Sequence, residues 1–377
     1  MQRKPITLVT GANQGIRKET ALKRRELIAA AGIMAAAGML HKVGAQSSAE
    51  TYSGRDHALI GKGANIPVSA PTPFVSFSPL VLPAPGRAVD LQIKVSAPAT
   101  GRELPIILLS HGHGGSNNLS SLNGYGPLAN FYAAHGFVVI QPTHLDSKSL
   151  SLDTNGPEGP LFWRSRVEDM KRILDQLDFI EASVPGLSGR LDRSRVAVVG
   201  HSLGGHTASM LLGARLTDPK DGTVVDMAEP RIKAGVLLAA PGNGGADLSA
   251  FAAEHYSFFR QPSFAEMTMP ALVVFGDGDK DVSHHLTVRG ADWHADPYFL
   301  SKGPKCLLTM VGAGHGLGGV AGYDAAETTD ESPERVAAIQ RLTWAYLRSA
   351  LYPGDSAWSK ARAALAEIKE LGRVECK

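Results

Sequence analysis

The sequence predicts an α/β fold: a mostly parallel, doubly wound sheet flanked by helices. Three observations lead there. Short continuous apolar runs recur at Pro105 to Leu109, Phe137 to Ile140, Val196 to Val199, Ala234 to Leu238, Ala271 to Phe275 and Leu307 to Val311, as expected of strands buried on both faces. Stretches with apolar residues near a 3.6-residue period separate most of them, at Leu128 to Ala134, Val167 to Ile180, Thr207 to Leu216 and Val336 to Ala350. Ahead of the first run, Phe74 to Leu82 and Ala88 to Val95 alternate around the turn Pro83-Ala84-Pro85-Gly86, which predicts a short antiparallel start. Strands alternating with helices over this length form a doubly wound sheet.

Taken from the N-terminus, residues 6–16 read as an apolar strand running into Thr10-Gly11-Ala12-Asn13-Gln14-Gly15-Ile16, which resembles the opening of a short-chain dehydrogenase. A dinucleotide unit would continue with a glycine and a second strand ending at a ribose-binding acid. Here Arg17 follows and neither strand nor acid appears, so no NAD(P) cofactor is predicted. Lys23-Arg24-Arg25, the apolar run Leu27 to Leu40 and Val43-Gly44-Ala45 then give the charged, apolar and small-residue regions of an export signal, of twin-arginine or Sec type, cleaved near Ala45. At about fourteen residues the run is too short to span a bilayer as a helix, so no membrane anchor is predicted. Residues 46–73, rich in Gly, Ser, Ala and Pro without periodicity, read as a leader segment. The expected division is thus an extension and signal over 1–45, a leader over 46–73, and one domain over 74–377 ending in a helical tail.

The 377 residues are 44% hydrophobic and 20% charged, enough for a large core, and the formal charge of +2 comes with no basic stripe of the kind that binds nucleic acid. Two cysteines, Cys306 and Cys376, permit one disulfide in an oxidising compartment; two separate thiols are the alternative. The polar stretches His144 to Gly159 and Gly242 to Ser263 follow strand ends and read either as borders of a substrate cleft or as surface loops.

The strongest chemical signal is Val196-Ala197-Val198-Val199-Gly200-His201-Ser202-Leu203-Gly204-Gly205: strand, serine between glycines, helix. A nucleophile on so sharp a turn needs neighbours without side chains two positions away on each side, and Gly200 and Gly204 supply that room. Ser202 is the predicted nucleophile, in the elbow of an α/β-hydrolase fold. A serine hydroxyl needs a base, and the base an acid that fixes its tautomer. His315, in Gly312-Ala313-Gly314-His315-Gly316 after the last strand, is the predicted base. Of the other histidines, His41 lies beside the signal, His284, His285 and His294 belong to a polar loop, and His206 falls on the first turn after Ser202 in a packing or supporting role. Three aspartates, Asp277, Asp279 and Asp281, follow the strand Ala271 to Phe275 and compete for the acid; they lack the glycine and distal glutamate of a calcium loop. The glycine-rich loop His111-Gly112-His113-Gly114-Gly115 is of the oxyanion type, so the main-chain N–H groups of His113 and Leu203 are the predicted donors. A His111/His113 metal site finds no third ligand nearby, and no metal is predicted.

These residues, with Pro142-Thr143-His144-Leu145-Asp146-Ser147 and Phe162-Trp163-Arg164-Ser165-Arg166-Val167-Glu168-Asp169, resemble the bacterial predicted dienelactone hydrolases related to platelet-activating-factor acetylhydrolase, with cutinase-like polyester hydrolases as more distant relatives, over roughly Pro79 to Ala350. The resemblance implies a serine esterase acting on a small or polymeric ester without a cofactor. In such hydrolases the acid commonly sits nine residues beyond a proline placed like Pro270, which implies Asp279, with Asp281 ahead of Asp277 as the alternative. Dienelactone hydrolases proper use a cysteine nucleophile; serine in this elbow points instead to ordinary carboxylic esters. Arg166 and Asp169 look like a structural ion pair on a helix. Acyl transfer to an alcohol, polyester hydrolysis and a catalytically silent binding protein of the same fold are the competing readings.

Overall fold

Nine strands form the central sheet of the computed structural model, which describes residues 59–377 except 155, 157–159 and 281–284. In chain order they are β1 (Phe74–Leu82), β2 (Leu91–Pro98), β3 (Leu104–Ser110), β4 (Val138–Pro142), β5 (Leu191–His201), β8 (Ile232–Leu238), β10 (Ala271–Gly276), β11 (Lys305–Met310) and β12 (Gly372–Cys376). The remaining strands, β6 (Arg215–Thr217), β7 (Val224–Asp226) and β9 (Pro262–Ser263), make a separate small sheet. The large sheet runs β1-β2-β4-β3-β5-β8-β10-β11-β12, parallel from β4 to β11 and antiparallel at both ends. The short antiparallel start is therefore found as expected, with β2 placed three residues later than the alternation suggested.

The apolar runs fill both faces because successive side chains of a strand point to opposite sides. Ile106, Leu108, Val196, Val198, Ala271 and Val273 belong to one core cluster. Their immediate neighbours Ile107, Leu109, Ala197, Val199, Leu272 and Val274 belong to the other. Helices α1 (Gly126–Ala134), α4 (Pro333–Leu351) and α5 (Ala357–Ala366) bury residues in the second cluster. Helices α2 (Trp163–Asp175) and α3 (Leu203–Leu211) bury theirs in the first. The start of α4 follows its sequence signal: Ser332 caps the helix by accepting the Arg335 N–H, with Pro333 in the first turn.

Two expectations need correction. The helix expected over Thr207 to Leu216 starts earlier, at Leu203, and stops at Leu211; after Gly213 turns the chain at positive φ, Leu216 sits in β6. The helix expected over Val167 to Ile180 breaks at Gln176, and a separate short helix spans Leu177–Ser183. Cys306 and Cys376 stand directly opposite each other across β11 and β12 and are joined by a disulfide, which ties the C-terminal strand to the sheet. All described residues belong to one compact unit, and none of their helices is long and apolar enough to cross a membrane. The dehydrogenase-like start, the export signal and the leader up to residue 58 lie outside the described residues; Gly61–Asn65 is a single 3-10 turn.

Candidate functional site

The sequence motifs all map to the carboxyl ends of the central strands, where an open α/β sheet holds its ligands. Ser202 follows β5, the His111 to Gly115 loop follows β3, Asp279 follows β10 and His315 follows β11. Ser202 adopts φ 54° and ψ −120°, a backbone conformation strained for a residue with a side chain. Its N–H donates to the Leu238 carbonyl at 2.8 Å, and its own carbonyl accepts the Gly205 and His206 N–H groups that open α3. The turn closes so tightly that a Cβ at Gly200 would overlap the Gly204 carbonyl, and one at Gly204 the Ser110 carbonyl. The glycines of the elbow are thus set by close approach of backbone to backbone.

A cavity of about 350 Å³ opens beside this turn, and Ser202, His315, His113 and Leu203 all line it. Its walls are largely apolar, with Leu119, Leu161, Tyr256, Phe259 and Leu286. Tyr256 and Phe259 come from the polar stretch 242–263, which therefore does border the cavity. In the other stretch His144, Asp146 and Ser147 are buried under the cavity's loops. The main-chain N–H groups of His113 and Leu203 have no acceptor among the described residues; Leu203 stands at the first position of α3, where a helix offers none.

His315 Nδ1 lies 2.7 Å from Asp279 Oδ2, so the ring donates Nδ1–H to the carboxylate and carries its lone pair on Nε2. Asp279 is almost fully buried. Burial pushes its carboxyl up, yet the two imidazoles that face it, His294 and His315, hold it well below the usual carboxylate range. Of the competing aspartates, Asp277 is turned to the Gly312 N–H, whose bond it accepts at 2.6 Å, and Asp281 lies outside the described residues.

His201, between Gly200 and Ser202, links three loops. The Gly112 N–H donates to Tyr125 Oη at 2.9 Å, Tyr125 O–H donates to His201 Nδ1 at 2.8 Å, and His201 Nε2–H donates to the His315 carbonyl at 2.8 Å. Burial pushes the His201 imidazole down to about 3, with the facing His315 ring lowering it further, so the relay is neutral. Nothing in the local sequence marks Tyr125, which precedes α1 and belongs to none of the motifs.

Beneath the oxyanion-type loop lies a buried polar network. Arg166 of α2 donates to Asp146 Oδ1, to the His111 carbonyl and, at 3.1 Å, to Thr207 Oγ1 of α3. Asp146 also faces His113 Nδ1 at 3.1 Å. Burial works against its charge, but Arg166 and His113 hold the carboxyl well below its ordinary range. Asp169 pairs instead with Arg87 at 2.9 Å and with His144 Nδ1 at 3.0 Å. The expected Arg166–Asp169 pair is thus two separate pairs, since these side chains, three positions apart, diverge to partners on different loops.

The histidines bear on metal binding too. His111 spends Nδ1–H on the Gly112 carbonyl and Nε2 on the His144 N–H, which leaves it no lone pair for an ion. Asp279, His294 and His315 place one ligand atom each within 4.8 Å of one another. A tetrahedral zinc bound by His315 and Asp279 would hold their N and O about 3.3 Å apart, and 2.7 Å is the spacing of a shared proton. His206 and His294 differ here. His206 is packed against Trp163, Phe258 and Phe259, whereas His294 is completely buried against Asp279 rather than on a polar loop. His285 lines the cavity, and His284 lies outside the described residues.

No family model matches the chain. Part of it is similar to platelet-activating factor acetylhydrolase of Cavia porcellus, 29% identical over 33% of this chain and 36% of the relative. The chain thus spans little more than a third of that relative's length. Of the resemblance read from the motifs, this match supports the acetylhydrolase part, at the level of a hydrolase acting on esters. The large, mostly parallel sheet between helix layers, taken with that relative, gives the chain the α/β-hydrolase fold.

Proposed function

We propose that this chain is a serine carboxylic-ester hydrolase in which Ser202 is the nucleophile, His315 the general base and Asp279 the acid that orients it. The observation that carries the reading is Ser202, held at positive φ, opening on the same cavity as a histidine whose far nitrogen is bonded to a buried aspartate. Ser202 Oγ attacks the ester carbonyl carbon while its proton passes to His315 Nε2. The tetrahedral oxyanion takes the N–H groups of His113 and Leu203. As it collapses, the C–O bond to the alcohol breaks and the alcohol leaves with the proton from His315. Water then attacks the acyl-enzyme, gives its proton to His315, and releases the acid as Ser202 is restored. The apolar walls and modest volume favour a small apolar acyl group over a bulky one, and the relative's name, an acetylhydrolase, points the same way. Export is proposed with it: the basic, apolar and small-residue order of residues 23–45 supports it, as does a disulfide, which persists in oxidising compartments.

The test is fluorophosphonate labelling together with hydrolysis of p-nitrophenyl acetate and butyrate. The chain takes up the label and cleaves both esters, and Ser202→Ala abolishes both. A folded wild-type chain that does neither is a silent binding protein, and the esterase reading is then wrong. A panel extended to longer esters, polyester films and acceptor alcohols separates the remaining hydrolase and acyltransferase readings.

A further inference from the structure

Asp279 faces a second imidazole that a Ser-His-Asp triad does not need. His294 sits on the 3-10 turn Ala291–Ala295, with no exposed surface, and each of its ring nitrogens meets an oxygen. Nδ1 lies 2.8 Å from the Ala240 carbonyl, just beyond β8. Nε2 lies 3.1 Å from Asp279 Oδ2, an ion-pair separation without the alignment of a directed hydrogen bond.

A carbonyl and a carboxylate only accept. A neutral imidazole has a single N–H, so whichever tautomer it adopts, one unprotonated nitrogen stands about 3 Å from an oxygen that cannot donate, in a fully buried site. Rotating the ring to escape would exchange both nitrogens for carbons and lose the Ala240 bond. The ring has little freedom to turn. Trp293 Nε1–H donates to the Asn243 carbonyl at 3.0 Å and the Asn243 N–H to Asp296 at 2.9 Å, which stitches this turn to the segment after β8.

We propose that His294 carries a proton on both nitrogens and is a positioning residue: a buried imidazolium that neutralises and orients the carboxylate on which His315 rests. The proposal deepens the esterase reading and rests on it. The other ionisable groups around the ring do not replace it. His201 is a neutral relay with both nitrogens engaged, the His315 ring is turned to Asp279 with centroids 5.5 Å from His294, and Asp296, just after the turn, is taken by Arg289. The consequence follows from charge. With its carboxylate half-neutralised, Asp279 stabilises a protonated His315 less, so the free base persists to lower pH. A merely structural His294 would change folding and leave the pH profile where it is.

The experiment uses the full chain and His294→Gln, which keeps an amide donor but removes the charge. The acid limb of kcat/KM for p-nitrophenyl butyrate moves to higher pH in the variant, by about one unit, the usual influence of a charge at this range. The same shift appears in the pH dependence of fluorophosphonate labelling. In Ser202→Ala protein carrying ¹⁵N-histidine, the His294 ring shows two protonated nitrogens at pH 7. A folded His294→Gln with an unmoved acid limb overturns the proposal, and so does a neutral His294 ring. The NMR measurement decides the matter even if the variant fails to fold. It is also independent of turnover: a wild-type chain that labels nowhere sinks the esterase reading, while the state of His294 is still read directly.

Discussion

Replacing Arg166 by Met tests whether the buried network under the His111 to Gly115 loop is held by one charge. Arg166 has no exposed surface, and its guanidinium bonds to three separate elements: Asp146 beyond β4, the His111 carbonyl beyond β3 and Thr207 of the helix that follows Ser202. Methionine fills much of the same space but leaves Asp146 buried with only His113 as partner. An uncompensated buried charge of this kind costs about 3–5 kcal/mol, a large part of the roughly 5–15 kcal/mol that a domain possesses. Adding Asp146→Asn removes the orphaned charge, so the double variant recovers to within about 1–2 kcal/mol of wild type, the size of the hydrogen bonds still lost. The second substitution therefore recovers about 2–3 kcal/mol of what Arg166→Met alone loses. Urea unfolding at pH 7.5, followed by tryptophan fluorescence and circular dichroism, gives all four corners of the cycle. An Arg166→Met loss under about 1 kcal/mol, or a double variant worse than either single one, refutes the argument. The recovered double variant also turns over more slowly than wild type, because the loop carrying the His113 N–H has lost its anchor at the His111 carbonyl.

Acid should unfold the chain through its buried histidines. Burial holds His201 and His206 down to about 3, against an ordinary 6.5, and His111 and His144 well below it. The unfolded chain binds protons that the folded one refuses, so this stability is complete above about pH 6.5 and is lost as the pH falls toward 3, at about 1.4 kcal/mol per pH unit for each histidine. Urea midpoints measured from pH 7.5 to 4.5 fall accordingly, and His206→Leu removes one histidine's share of the slope; a flat midpoint contradicts the assignment. Breaking the disulfide with Cys306→Ala and Cys376→Ala frees a loop of 70 residues, worth about 2–4 kcal/mol of stability. The loss is read as a lower thermal midpoint that reductant does not lower further, and an unchanged midpoint argues against the bridge.

What the sequence made legible, and what it hid, divides along a physical line. Local rules carried the fold: the runs of β3, β5, β8, β10 and β11 are apolar because both faces are covered, and Ser332-Pro333 marks the start of α4 because the cap is made within one turn. The same rules place Ser202 and His315, since an elbow needs glycines at fixed spacing and the base loop is short. They fail for β12, five mostly exposed residues whose reason to be a strand is β11, some 70 residues away. They fail again at the end of α3, where apolar periodicity continues through residues that pair instead with the small sheet.

The most informative failures are the buried polar residues. Arg166, Asp146, His144 and His294 stand in stretches whose composition says solvent, and each is buried because a partner distant in sequence satisfies it. No periodicity or spacing announces such a pairing, since the partners sit 15 to 55 residues apart on different elements. These residues also surround the two places where the proposed chemistry needs rigidity, the oxyanion loop and the triad acid. Hydrophobic packing alone fixes a loop loosely, because dispersion and water release have little direction; hydrogen bonds to a carbonyl or a carboxylate fix it in angle as well as position. A site that must hold an N–H toward a transient oxyanion therefore gains from polar anchors beneath it, and accepts the desolvation they carry. These four departures from the rule that polar side chains face water thus lie around Ser202, where direction matters more than stability.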